Sequence, residues 1–255
     1  MRRFLALSSL LASAGQLWAG GPELYEKATF ERGNQKLNYR LLKPAKIEPG
    51  KTYPLVLFLH GAGERGDNNA AQLTHGSALF AKAENREKFP AYVIFPQCPN
   101  NKRWVEVDWS AKASHTSPKE PSDSMRLTKQ MLDEFLKANP VDTNRIYVTG
   151  LSMGGFGTWD FAQRYPEIVA AAAPICGGAD SDTAAKIKHI PIWVFHGSAD
   201  TAVWPERSRI MVDELKKVNG TVRYSEYQNV GHNSWTRAFA EPEFLTWMFA
   251  QKRSK

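Results

Sequence analysis

The sequence predicts an α/β fold: a doubly wound, mostly parallel sheet with helices on both faces. Short apolar runs such as Leu55 to Leu59 and Ile192 to His196 recur along the chain, and strands covered on both sides read as continuous apolar runs. Segments of helical composition separate them, and strands alternating with helices favour crossover connections. At 255 residues and 42% hydrophobic content, the chain has room for one such domain and little for a second.

The N-terminus reads as a secretory signal over residues 1–19, which leaves a single domain over 20–255. Arg2 and Arg3 precede the apolar stretch Phe4 to Ala14, and Leu17-Trp18-Ala19 offers a small-residue cleavage site. That stretch is shorter than the ~20 residues a spanning helix needs. The expectation is therefore an exported protein, secreted or periplasmic, with no stable membrane insertion once the leader is removed.

Ala28 to Phe30 and Leu37 to Leu42 then read as an edge hairpin around Arg32-Gly33-Asn34. Leu55 to Leu59 and Tyr92 to Phe95 are buried strands, with the helical composition of Asn69 to Lys88 between them. Asn100 to Asp123, with Pro118, Pro121 and many polar residues, reads as a long loop, and loops of that length are usually functional or disordered. Ser124 to Ala138 is an amphipathic helix with Met125, Leu132, Phe135 and Leu136 on one stripe, stopped at Asn139-Pro140. Arg145 to Thr149 is a strand, Met153 to Arg164 a helix and Val169 to Ala173 a small-residue strand. Ile192 to His196 and Val222 to Tyr227 are strands, and Glu206 to Val218 and Pro242 to Ala250 are helices.

Gly150-Leu151-Ser152-Met153-Gly154 sits where a strand turns into a helix. That is the setting of a nucleophile elbow, whose small residues keep a tight turn clear of neighbouring backbone and push the serine hydroxyl up off the sheet. Asp200 follows the strand Ile192 to His196, and His232 follows the strand Val222 to Tyr227. The chain order Ser, Asp, His is that of α/β-hydrolases. A serine hydroxyl needs a base to take its proton as it attacks, which is the role expected of His232. Asp200 would hold the imidazole in the useful tautomer. The negative charge developing on the substrate oxygen calls for backbone N–H donors, expected from Met153 and from the loop His60-Gly61-Ala62-Gly63.

The strings His60 to Gly66 (HGAGERG), Phe95 to Pro99 (FPQCP), Val141 to Gly157 (VDTNRIYVTGLSMGGFG), Pro174 to Gly178 (PICGG) and Gly231 to Trp235 (GHNSW) resemble secreted α/β-hydrolase esterases. The similarity is to the feruloyl-esterase and polyhydroxybutyrate-depolymerase-like group, also labelled phospholipase/carboxylesterase or predicted peptidase, and spans Leu37 to the C-terminus. It implies the α/β-hydrolase fold, Ser152, Asp200 and His232 as a triad, Ala62 and Met153 as oxyanion donors, and a place for the Asn100 to Asp123 loop in the substrate cleft. Val203-Trp204-Pro205 departs from the Val-Pro usual after the acid, which bears on the adjacent pocket wall.

Trp104, Trp109, Trp204 and Trp235 lie in or beside loops at the catalytic edge, where aromatic rings can stack on a sugar or phenol. Trp204 and Trp104 are the candidates, with ordinary core or loop packing as the alternative for each ring, and Gln97 is a further substrate contact that a structural hydrogen bond would explain equally well. His60 and His196 are expected to order the loops that follow them, and Asp180 and Asp182 are the rivals of Asp200. No His-Glu-x-x-His or similar pattern calls for a metal, and no cofactor is expected. Glu64 and Arg65 read as a solvated tip, with substrate contact as the alternative. Cys98 and Cys176 each sit in a separate motif, which favours two buried thiols over a disulfide.

The formal charge of +7 falls to +5 when Arg2 and Arg3 leave with a signal that carries no acidic residue. Scattered lysines without interleaved aromatics are a solvated surface and argue against a nucleic-acid partner. The resulting expectation is an exported serine carboxylesterase acting on phenolic, short-chain or polysaccharide-linked esters. A serine peptidase of the same fold and a non-catalytic polysaccharide-binding protein are the alternatives.

Overall fold

A computed structural model describes residues 21–253; the leader expected over residues 1–19 lies outside the described residues. Eight strands form one sheet: β1 (Glu26–Arg32), β2 (Gln35–Leu42), β3 (Tyr53–Leu59), β4 (Tyr92–Pro96), β5 (Val141–Leu151), β6 (Ala171–Ile175), β7 (Ile192–Gly197) and β8 (Val222–Tyr227). Their spatial order is β1-β2-β4-β3-β5-β6-β7-β8. The β1–β2 and β2–β4 pairs are antiparallel and all others parallel. The edge hairpin turns at Gly33, whose φ of 57° is open to glycine at no steric cost.

Helices cover both faces: α1 (Ser77–Ala81), α2 (Ala83–Lys88), α3 (Asp123–Ala138), α4 (Met153–Arg164), α5 (Ala184–Ile187), α6 (Glu206–Lys217), α7 (Trp235–Ala238) and α8 (Phe244–Ala250). Alternation along each strand sends Leu55, Leu57, Ile94, Val148 and Val194 into one core with Met125 and Leu132 of α3, Trp159 of α4 and Met211 of α6. The intervening residues Val56, Phe58, Val93, Phe95 and Phe195 enter a second core with Phe80 of α1 and Phe244 and Met248 of α8. The central strands β3, β4, β6 and β7 are thus buried along their whole length, as doubly covered strands must be. Among the described residues no helix is long and apolar enough to cross a membrane.

Several elements differ from the sequence reading, and three of the differences have a physical reason or a clear bound. The helical segment expected over Asn69 to Lys88 is broken into a 3-10 turn and two short helices. Gly76 adopts a left-handed φ of 77°, and Lys82 is extended between α1 and α2. A β-carbon at Gly76 would lie 2.4 Å from the Phe58 ring, so packing of this segment onto the sheet overrides its helical composition. Strand β6 begins two residues later than expected. Helices α5 and α7 are absent from the sequence reading because four residues carry no readable period.

From β3 the chain passes to β4 on one side, then crosses back to β5 on the other. The crevice at the C-terminal ends of β3 and β5 is therefore the topological switch point, where ligands bind in open α/β sheets.

Candidate active site

Ser152 occupies that crevice, as the single residue between β5 and α4. Its φ of 54° and ψ of −119° are unusual for a residue with a side chain, a conformation maintained only when the surroundings over-determine it. They do so here: Ser152 N donates to Ile175 O at 2.9 Å, and the two flanking glycines let backbones touch. A β-carbon on Gly150 would stand 2.4 Å from Leu59 O, and one on Gly154 only 1.8 Å from the same atom.

The loops after β7 and β8 bring two more side chains to this serine. Gly197 allows the close approach, since a β-carbon there would meet Val230 O at 2.3 Å, and Ala199 N donates to Val230 O at 2.9 Å. His232 Nε2 then lies 2.8 Å from Ser152 Oγ, while its Nδ1 lies 2.7 Å from Asp200 Oδ2. A carboxylate can only accept, so Nδ1 carries the hydrogen and Nε2 presents its lone pair to the hydroxyl. Asp200 Oδ1 accepts from Ala202 N and Val203 N at 2.9 and 3.0 Å. Burial opposes ionisation of Asp200, but hydrogen bonds from His196, His232 and Val203 N outweigh it and hold the carboxyl well below the usual carboxylate range. The arrangement can take a proton from Ser152 and stabilise the resulting imidazolium. The rival Asp180 instead accepts from Ser117 N and Asp182 N, which makes it a turn cap.

Ala62 opens a 3-10 turn after Gly61, at the C-terminal end of β3, and Met153 is the first residue of α4. Among the described residues neither backbone N–H has a protein acceptor. Several groups brace the Ala62 loop. His60 is buried, with Nδ1 2.6 Å from Gly61 O and Nε2 accepting from Cys98 N at 2.9 Å, and burial pushes its pKa down to about 4. Arg65 Nε donates to Ala62 O at 2.8 Å.

Two of the expected substrate contacts are corrected by these neighbours. Trp104 has no exposed surface; its indole N–H donates to His60 O at 3.0 Å, so it packs beneath the Ala62 loop and does not face a cleft. Gln97 is equally buried. Its Oε1 accepts from Asn69 N and its Nε2 donates to Glu64 O and Asn68 Oδ1, which uses its polar capacity on loop backbone and a neighbouring amide. Glu64, expected at a solvated tip, is mostly buried with its carboxylate 3.7 Å from His75 Nε2.

Trp204 is half-buried, with the Lys112 amine 4.0 Å above its ring. Trp235, also half-buried, stands edge-on to His232 with ring centroids 5.5 Å apart. Sequence reasoning passed over the buried Arg207, which donates through Nη1 to Asp108 O and Ala111 O, each at 2.9 Å, and through Nη2 to His115. Nothing in the local sequence distinguishes it from a surface residue of α6. The ligating atoms of Cys176, Asp200 and His232 lie within 4.8 Å of one another. Burial pushes the Cys176 thiol up to about 12, which disfavours the thiolate a metal would need, and Asp200 and His232 are hydrogen-bonded to each other. Cys98 is also a free buried thiol, 3.3 Å from Ser124 Oγ.

Residues 45–245 match the family model described as phospholipase/carboxylesterase. A poly(3-hydroxyalkanoate) depolymerase C from Paucimonas lemoignei is 30% identical over 219 residues, covering 74% of this chain and 50% of its own length. Feruloyl esterase B from Neurospora crassa is 24% identical, covering 78% and 75%. A crystal structure of a thermostable esterase superposes with a TM-score of 0.85 at 37% identity, over 91% of this chain and 64% of that one. The chain thus spans about half the length of the depolymerase, and less of two further curated esterases. Sheet order, switch-point serine and matched residues agree: the chain belongs to the phospholipase/carboxylesterase family of α/β-hydrolases.

Proposed function

We propose that this chain is a serine carboxylesterase. The observation that carries the reading is the hydrogen-bonded line from Asp200 through His232 to Ser152, with 2.7 and 2.8 Å separations, at the switch point of the sheet. In this reading His232 takes the Ser152 proton as the hydroxyl oxygen attacks the ester carbonyl. The Ala62 and Met153 N–H groups hold the oxyanion. The imidazolium returns its proton to the departing alcohol, and water, activated by the same histidine, releases the acid from the acyl-enzyme.

The names of the relatives, a depolymerase of polyhydroxyalkanoate and a feruloyl esterase, favour phenolic, short-chain or polymer-linked esters, with Trp204 as an aromatic wall. The N-terminal Arg2-Arg3 and apolar stretch support action outside the cytoplasm, after removal of residues 1–19. N-terminal sequencing of the exported protein tests that point, with Gly20 as the expected first residue.

The test of the reaction is a panel of p-nitrophenyl esters, methyl ferulate and peptide anilides, with wild type and Ser152→Ala. Ester turnover is expected, with its loss in the variant and an unchanged circular dichroism spectrum. Residual hydrolysis within tenfold of wild type in Ser152→Ala overturns the assignment. Preferential cleavage of the anilides would move the chain to the peptidase reading.

A further inference from the structure

His196, in β7, has no exposed surface. Its Nε2 lies 2.9 Å from Val203 O and 3.2 Å from Asp200 Oδ2, the same oxygen that His232 Nδ1 approaches at 2.7 Å. Both neighbours of Nε2 are pure acceptors, so that nitrogen carries the hydrogen and shares it between them. The opposite nitrogen, Nδ1, is 2.7 Å from Ser208 Oγ of α6 and accepts that hydroxyl's hydrogen bond. Two imidazoles therefore converge on one carboxylate oxygen, and each accepts a hydrogen bond from a serine.

We infer that His196 is a positioning residue that acts through Asp200 and sets the pH range over which His232 works. The inference rests on the carboxylesterase reading of Ser152, Asp200 and His232. A carboxylate oxygen shared by two donors divides its charge between them, so it holds the His232 imidazolium less tightly than one devoted to a single ring. The consequence is that His232 remains able to accept the Ser152 proton at lower pH.

No other group facing this cluster is engaged with Oδ2. Glu226, the register partner of His196 on β8, is taken up by Arg209 and Tyr224. Cys176 is a buried, protonated thiol. On the side of His232 the neighbour is Trp235, against whose ring His75 packs, and Glu64 lies beyond that.

The experiment is the pH dependence of kcat/KM for p-nitrophenyl acetate in wild type, His196→Leu, His196→Gln and Ser208→Ala. His196→Leu removes the second donor and is expected to move the acidic limb up by about half a pH unit or more, with KM little changed. His196→Gln carries an amide N–H that reaches the place of Nε2, and restores the limb in part. Ser208→Ala frees the ring to turn and moves the limb the same way by less, which keeps the inference testable should the leucine variant not fold. Acidic limbs that superimpose on wild type across all folded variants overturn it, as does a glutamine variant indistinguishable from leucine. Loss of turnover in Ser152→Ala beside unmoved limbs sinks this inference alone, whereas persistent turnover in Ser152→Ala sinks the reading beneath it.

Discussion

Gly154 shows how little freedom a single position in the elbow has. Its missing side chain is what lets the first turn of α4 sit against the end of β3, since a β-carbon would fall 1.8 Å from Leu59 O and 2.7 Å from His60 O. Both obstacles are backbone and cannot rotate away. Gly154→Ala should therefore cost about 3 kcal/mol or more, the upper range for overpacking, and should displace the Ala62 loop together with Ser152. A urea midpoint within error of wild type, with kcat retained, would show that the contact is not as tight as described. The elbow was legible from the sequence because its demand for small residues is local: Gly150, Ser152 and Gly154 lie in one five-residue string. Asp200 and His232 could be placed in their loops by strand order alone. Trp104 and Gln97 were misplaced for the complementary reason. Both stand beside catalytic-edge loops in sequence, but their side chains point inward to hydrogen-bond His60 O and the Asn69 N–H, and direction is not encoded by proximity along the chain.

The segment between β4 and α3 poses the same question for a whole element. Its irregularity was readable from its prolines and polar residues, but its rigidity was not, because the groups that hold it come from distant helices. Arg207 of α6 accounts for the carbonyls of Asp108 and Ala111 and for His115, while its guanidinium lies 4.8 Å over Phe156 of α4. Arg164 of α4, paired with Asp160, donates to Lys119 O at 2.9 Å and to Pro118 O. Asp180 accepts from Ser117 N at 2.8 Å. A loop whose carbonyls are held by Arg207 and Arg164 is anchored at several points, in contrast to loops that open locally. Arg207→Met keeps most of the side-chain volume and removes every donor. It is expected to leave the sheet intact, cost about 1 to 3 kcal/mol through orphaned carbonyls, and raise KM more than it lowers kcat. Limited proteolysis provides the direct measurement: new cleavage between Asp108 and His115 is expected, and an unchanged digestion pattern would show that the loop holds without the arginine. The central strands were the most readable elements, since burial on both faces leaves a run of apolar residues. Helices α1, α2 and α7 were the least readable, being too short to show a period and set by contacts such as Gly76 against Phe58.

Across the molecule, His60 and His115 link stability to pH in a definite direction. His60 is held neutral in the folded chain because burial, the largest influence, lowers its pKa to about 4, with Arg65 adding to the effect. In the unfolded chain the same ring titrates near 6.5. Above that pH both states carry a neutral ring and His60 contributes no pH dependence. As pH falls below about 6.5 the unfolded state takes up a proton that the folded state refuses, so stability declines until the folded ring also titrates near 4. The difference corresponds to roughly 3 kcal/mol for His60. His115, lowered to about 4 by burial and then by Arg207, adds a contribution of the same sign, reduced by its partial exposure. Asp200 acts in a separate window: its carboxyl is held below the usual range, so its stabilisation is complete near neutrality and is lost only as pH drops beneath about 4. Urea unfolding followed from pH 8 to 4 should therefore give a plateau above about 6.5 and a falling midpoint below it. His60→Asn should be less stable at pH 8, having lost its ring contacts, yet show a shallower decline between 6.5 and 4. Parallel declines in the two proteins would mean that His60 accepts its proton without leaving the fold, and that the loop carrying Ala62 is more open to water than its hydrogen bonds imply.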